Sequence, residues 1–211
     1  MKKRLRLLYH ALVKSRKTFV FNEKKLRYFI PWIRAPRNER VIELPIVLDI
    51  LGRHKKSAIL EIGNVMNNHY PFVHDVVDKY EMAEGVINED IVDYNPPDKY
   101  DFIFSISTLE HVGCDEPEKD PAKIMKALSK IKDLLNGGGS AVFTLPIGWN
   151  KYFDGKLLTG EIEFSSETFL KRISSDDQWI QINKSEAGSI RYNEPYPYAN
   201  GIFVGMIKKS E

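Results

Sequence analysis

The chain has 211 residues, 43% of them hydrophobic and 28% charged, which suits one globular domain, with or without an appendage, and supplies enough apolar side chains for a sizeable core. No apolar run approaches the ~20 residues of a membrane-spanning helix, and the start lacks the apolar run and small-residue cleavage site of a secretory signal. The one cysteine, Cys114, excludes an intrachain disulfide and a multi-cysteine zinc site and fits a cytoplasmic setting, while the net charge of +2 hides 13 Lys or Arg against 2 Glu in the first 40 residues.

Residues 1–13 predict a short basic amphipathic helix, with Leu5, Leu8 and Leu12 on one face and Lys2, Lys3, Arg4 and Arg6 around it. Such a helix packs on its own domain or a partner, or rests peripherally on a membrane surface. The runs 18–21 and 26–30, joined through 22–25, predict a hairpin, and Pro31, Trp32 and Pro36 then break the pattern. Asn38 is placed to cap a helix carrying Ile42, Ile46 and Ile50 on one face and closed by Gly52, with Pro45 either kinking it or marking its first turn. Residues 1–56 therefore read as a basic cap of helix, hairpin and helix beside a second region, 57–211.

From Ser57 strands and helices alternate. The apolar residues Ala58, Ile59, Leu60 and Ile62 predict a buried strand interrupted by Glu61 and followed by Gly63 and Asn64. Ligands of open α/β sheets bind just beyond the carboxyl ends of the strands, and a glycine there admits close backbone approach. Further strands are expected over 75–78, 85–88 and 102–106. Asp120 as N-cap, Pro121, and the stripe Ile124, Leu128, Ile131 and Leu135 predict a helix, ended by Gly137, Gly138 and Gly139. A fifth strand over 141–145 stops at Pro146. Ser165 or Ser166 caps a short helix through Phe169 and Leu170, and the runs 179–182 and 201–207 predict an antiparallel ending. Repeated strand–helix units imply a largely parallel sheet covered on both faces.

The strand ending in Glu61, Ile62 and Gly63 resembles the first motif of class I S-adenosylmethionine (SAM) methyltransferases. The run Leu109, Glu110, His111, Val112 after the fourth strand is similar to the loop that lies beside the sulfonium in many small-molecule members. The resemblance covers about residues 57–207. It implies a Rossmann-like α/β sheet, mostly parallel with an antiparallel last strand, flanked by helices. It implies SAM as cofactor and methyl transfer to a small-molecule or sugar acceptor, expected at oxygen. On the donor it implies Glu61, Gly63 and Asn64 at the amino-acid end and Asp78 on the ribose, with Glu81 as the alternative. Asp90 and Ile91 would meet adenine, and Ser107 and Glu110 would lie in the adjoining loop. His111 is the expected general base, and Trp149 and Asn150 the expected acceptor contacts. Tyr192, Tyr196 and Tyr198 either line an acceptor pocket or pack around Pro195 and Pro197.

The glycine loop is reduced to Gly63, and no Gly-x-Gly-x-x-Gly or phosphate loop occurs. Asn95, Pro96, Pro97 and Asp98 precede the fourth strand and lack the aromatic of the DNA amino-methylating motif. A Glu-x-x-Glu-His metal run is broken by Ser107, so no metal is expected. Two rival readings remain: methylation of RNA or protein held by the basic arm, which is not favoured, and a non-catalytic binding module.

Overall fold

A strand whose side chains are buried on both faces needs cover from two sides, and the computed structural model supplies it. It describes residues 17–29, 38–54, 57–70 and 72–211, so the predicted helix over 1–13 and the breakers Pro31, Trp32 and Pro36 lie outside the described residues. An eight-stranded sheet runs in the order β5-β4-β3-β6-β7-β10-β8-β9. Its strands are β3 (Ile59–Ile62), β4 (Asp75–Val77), β5 (Val86–Ile87), β6 (Tyr100–Ile106), β7 (Leu135–Pro146), β8 (Ser166–Arg172), β9 (Trp179–Ile182) and β10 (Gly201–Lys208). The pairs among β3 to β7 are parallel, whereas β10 is antiparallel to both β7 and β8. A separate hairpin joins β1 (Thr18–Phe21) to β2 (Lys24–Arg27).

Alternation along β6 sorts its side chains into two cores. Phe102, Phe104 and Ile106 pack with Ile42 and Ile46 of helix α1 (Arg40–Leu51) and with Phe19 and Phe21 of the hairpin. Ile103 packs on the opposite face with Ile124, Leu128 and Ile131 of helix α3 (Lys123–Leu134) and with Phe153 and Leu157 of α4 (Lys151–Thr159). A short α2 (Val65–His69) follows β3, and α5 (Lys184–Ala187) follows β9. Among the described residues no helix is long and apolar enough to cross a membrane.

Helix α1 is buried nearly all round, on Val41, Leu44 and Val47 as well as the expected Ile42, Ile46 and Ile50. Asn38 Oδ1 accepts the Arg40 N–H at 3.2 Å, although Glu39 is the capping position. Pro45 lies inside the helix and leaves the Val41 carbonyl without its helical donor. The Phe29 N–H takes that place at 2.9 Å, tying the end of the hairpin to the helix.

Five expectations are corrected. The hairpin turns on two residues, Asn22 and Glu23, both at positive φ (45° and 66°), so its second strand starts at Lys24. Asp120 is not the N-cap of α3: its carboxylate accepts from the N–H of Ala122, which is the capping position, and the helix begins at Lys123. The triple glycine lies inside β7, which starts directly after α3. A Cβ on Gly139 would stand 3.0 Å from Asn136 O and 3.1 Å from Asp101 O, so glycine there serves close packing of backbones. Residues Ser166–Arg172 form β8, because Thr168, Phe169 and Leu170 are all buried between two covered faces. Helix α4 provides the crossover from β7 to β8, and β9 and β10 both run antiparallel to β8 instead of pairing with each other.

Candidate active site

The carboxyl ends of β3, β4, β5 and β6 open on one cleft, lined among others by Gly63, Asp78, Ile91 and His111. Gly63 stands at φ +83°, and a Cβ there would meet Thr108 Oγ1 at 2.2 Å, so the loop after β6 rests directly on the glycine. Asp78 Oδ1 accepts the N–H groups of Tyr80 and Glu81 at 2.8 Å each, which fixes the turn after β4. Its Oδ2 makes no hydrogen bond among the described residues. Asn64 donates through Nδ2 to Glu81 Oε1 at 2.8 Å, leaving Oδ1 buried without a partner. Ile91, 5% exposed, gives the cleft an apolar wall.

Asp90 borders the cleft with its carboxylate already engaged. Oδ2 accepts from Lys123 at 2.6 Å and Lys79 at 2.9 Å, and Oδ1 accepts the Val92 N–H at 3.1 Å. Burial opposes its charge, but these donors prevail and hold its pKa at about 2. Both lysines also reach Glu116 Oε1, at 2.6 and 3.1 Å, so a four-charge network edges this end of the cleft. Lys79, Glu116 and Lys123 carry no local sequence motif.

Three expected site residues spend their polar atoms on the protein, and a fourth, Glu110, is turned away from the cleft. Glu61 is fully buried: Oε1 accepts the Met66 N–H at 2.5 Å at the start of α2, and Oε2 lies 2.7 Å from His74 Nε2. Ser107 donates through Oγ to Glu43 Oε1 at 2.5 Å. Asn150 caps α4, accepting the Phe153 N–H at 3.0 Å while Nδ2 donates to the Pro121 carbonyl at 3.1 Å. Glu110 does not line the cleft; it is 2% exposed and turned toward α1, near Arg40, Glu39 and Glu43.

His111 lines the cleft, half exposed. Its Nδ1 lies 2.6 Å from Asp115 Oδ2, and a carboxylate there can only accept, so Nδ1 carries a proton and Nε2 is the nitrogen that bears the lone pair in the neutral ring. Trp149 stands beside it at 4.8 Å between ring centroids and meets Tyr192 edge-on at 4.8 Å. Behind this wall, Glu43 is fully buried and accepts hydroxyl protons from Ser107 and Thr144, the latter at 2.7 Å, with Arg40 Nη1 at 2.5 Å on its other oxygen. Burial, then the neighbouring Glu43, pushes the Glu39 carboxyl above the usual range, and burial pushes Glu110 well above it.

No protein-family model and no curated protein matches the chain. Solved structures do. The N-methyltransferase NodS from Bradyrhizobium japonicum, in complex with S-adenosyl-L-homocysteine (SAH), superposes with a TM-score of 0.52 and 14% identity, covering 86% of this chain and 92% of NodS. A possible histamine N-methyltransferase from Thermotoga maritima gives 0.45 and 15%, over 79% and 87% of the two chains. A SAM-dependent methyltransferase from Archaeoglobus fulgidus gives 0.46 and 15%, over 79% and 94%. Strand order, the antiparallel β10 and the NodS superposition together give the chain the Rossmann-like fold found in that SAM-dependent methyltransferase.

Proposed function

We propose that the protein is a SAM-dependent methyltransferase acting on a small molecule. The observation that carries this reading is the uncommitted acceptor Asp78 Oδ2 in the cleft beside Gly63, with the buried, orphaned Asn64 Oδ1 on the residue that follows the glycine. A buried acceptor without a donor costs about 1–3 kcal/mol, so a site that leaves one open is built for a ligand's donor. Asp78 suits the two ribose hydroxyls, Asn64 Oδ1 the amino group of the donor, and Ile91 and Val112 the faces of adenine. Asp90, saturated by two lysines, shapes the adenine end without supplying its acceptor. Bound there, SAM would supply a methyl carbon on a sulfonium, which leaves as a neutral thioether when the acceptor forms its bond. His111 Nε2, oriented by Asp115, is placed to take a proton from an acceptor. The rest of the rate comes from holding donor and acceptor in line.

Calorimetry with SAM and SAH tests the reading. Both are expected to bind at micromolar concentrations. Asp78→Asn keeps an oxygen for the Tyr80 and Glu81 N–H groups but replaces the free acceptor, so affinity should fall about tenfold or more, or ~1.4 kcal/mol. No binding of either ligand near 1 mM would overturn the assignment.

A further inference from the structure

The acceptor side of the site carries more negative charge than its one internal cation balances. Glu39, Glu43 and Glu110 are 6%, 0% and 2% exposed, and Arg40 is the cation that acts on them among the described residues. Arg40 is bonded to Glu43, whose other oxygen is filled by the hydroxyls of Ser107 and Thr144. Glu39 keeps one bond, from the Ala199 N–H at 3.2 Å. Glu110 Oε2 is buried and accepts no hydrogen bond among the described residues. Its Oε1 lies 3.7 Å from His111 Nε2, so this orphaned carboxyl stands directly behind the proposed base. The Tyr192 ring lies close enough to both Glu39 and Glu110 for its hydroxyl to feel them, and it forms one wall with Trp149.

An uncompensated buried carboxylate is costly and holds a proton until a cation arrives. The three acids do not converge as metal ligands among the described residues. A larger organic cation meets them better, with aromatic rings for its face and carboxylates for its charge.

We propose that the methyl acceptor is an amine, which enters as the ammonium ion and is held by Glu110 and Glu39 under the Trp149–Tyr192 wall. This rests on the methyltransferase reading above and names the substrate class of that same site. An alcohol offers no positive charge and leaves Glu110 and Glu39 as they are. The arriving ammonium displaces the proton that Glu110 holds to solvent, and because the nitrogen reacts only as the free amine, one ammonium proton then passes to the Glu110 carboxylate before the nitrogen–carbon bond forms. The new bond restores the positive charge on nitrogen, opposite the same acids. Oxygen, the acceptor expected from His111 alone, is thereby replaced by nitrogen.

The experiment is calorimetry on protein saturated with SAH, using matched pairs: 2-phenylethylamine against 2-phenylethanol, and glucosamine against glucose. In at least one pair the amine is expected to bind about tenfold or more tightly than the alcohol. Glu110→Gln should remove that preference while SAH affinity stays within about twofold. Glu39→Gln, whose amide oxygen keeps the Ala199 contact, should reduce it and serves if the first variant folds poorly. Normal SAH binding with no amine preference in either pair overturns the amine assignment, as does a preference untouched in both variants. Failure of SAH itself to bind overturns the underlying reading and this one with it.

Discussion

Glu61 separates a residue that touches the donor from one that builds the loop around it. The structure places it wholly inside, with the Met66 N–H at 2.5 Å and His74 Nε2 at 2.7 Å. His74 Nδ1 faces the Phe72 carbonyl at 3.0 Å and therefore carries a proton, so one further proton is shared between Nε2 and Glu61. Glu61→Ala strips two buried groups of their partner at ~1–3 kcal/mol each, about 4 kcal/mol together. In a chain of this length that is a fall in Tm of about 8–16 °C. Glu61→Gln keeps an oxygen for Met66 and turns an amide N–H toward His74 Nε2, so it should cost about 1 kcal/mol or less and leave SAH affinity unchanged. Urea unfolding followed by circular dichroism measures the first pair of numbers and calorimetry the last. Equal losses in the two variants would refute the hydrogen-bond account. A tenfold loss of SAH affinity in Glu61→Gln would restore the direct donor contact expected from the motif.

Asp154 gives a pH dependence with a definite sign. Burial, partly offset by the Gly148 N–H at 2.8 Å, raises its pKa from 3.8 to about 6. The folded chain holds a proton there that the unfolded chain has lost, so stability falls as pH rises from about 4 to about 6 and is flat above, by an amount on the order of 3 kcal/mol. Asp154→Asn should remove that slope and raise Tm at pH 7, as differential scanning calorimetry across the range would show; an unchanged slope would contradict it. Gly63→Ala places a side chain at φ +83°, for ~1–2 kcal/mol, and drives its Cβ onto Thr108. Thr108→Ala in the same chain should recover the steric part of the loss but not the backbone part, which a double-mutant cycle by thermal unfolding resolves.

Legibility in the sequence followed the range of the interactions. Strands β3, β6 and β7 were readable because continuous apolar runs carry their burial locally. Strand β8 was not, because Ser166, Glu167 and Thr168 look like a helix start until both faces are covered by other elements. Helix α4 carries little local signal, with Gly155 at its middle and only Phe153 and Leu157 buried. That Gly63, Asp78, Ile91 and His111 share one cleft was recognisable because each is fixed by its place after a strand. Asn150 and Ser107 looked like ligand contacts because their polar partners are remote: Pro121 for Asn150 and Glu43, 64 residues away, for Ser107. The same distance hid Glu39, Arg40 and Glu43, which lie in a stretch that reads as an apolar helix with a few charges.

Glu43 shows why that helix belongs to the site and not only to its cover. Burying a charged pair such as Arg40–Glu43 is a weak source of stability, since desolvation offsets most of the attraction. A leucine of similar size would fill the space but strand Arg40 and the hydroxyls of Ser107 and Thr144. Those two hydroxyls sit where β6 and β7 end, 101 residues from Glu43 in the case of Thr144. Ser107 is held at φ +39°, a conformation a serine rarely adopts, and its N–H is pinned to the Thr144 carbonyl at 3.0 Å. Glu43 therefore holds the strained residue from which the loop Thr108, Leu109, Glu110, His111 departs. That loop rests on Gly63 on one side and presents Glu110 to Arg40 and Glu39 on the other. The loop that carries His111 and Glu110 past Gly63 is thus held by one buried carboxylate, on a helix that precedes the first strand of the parallel sheet.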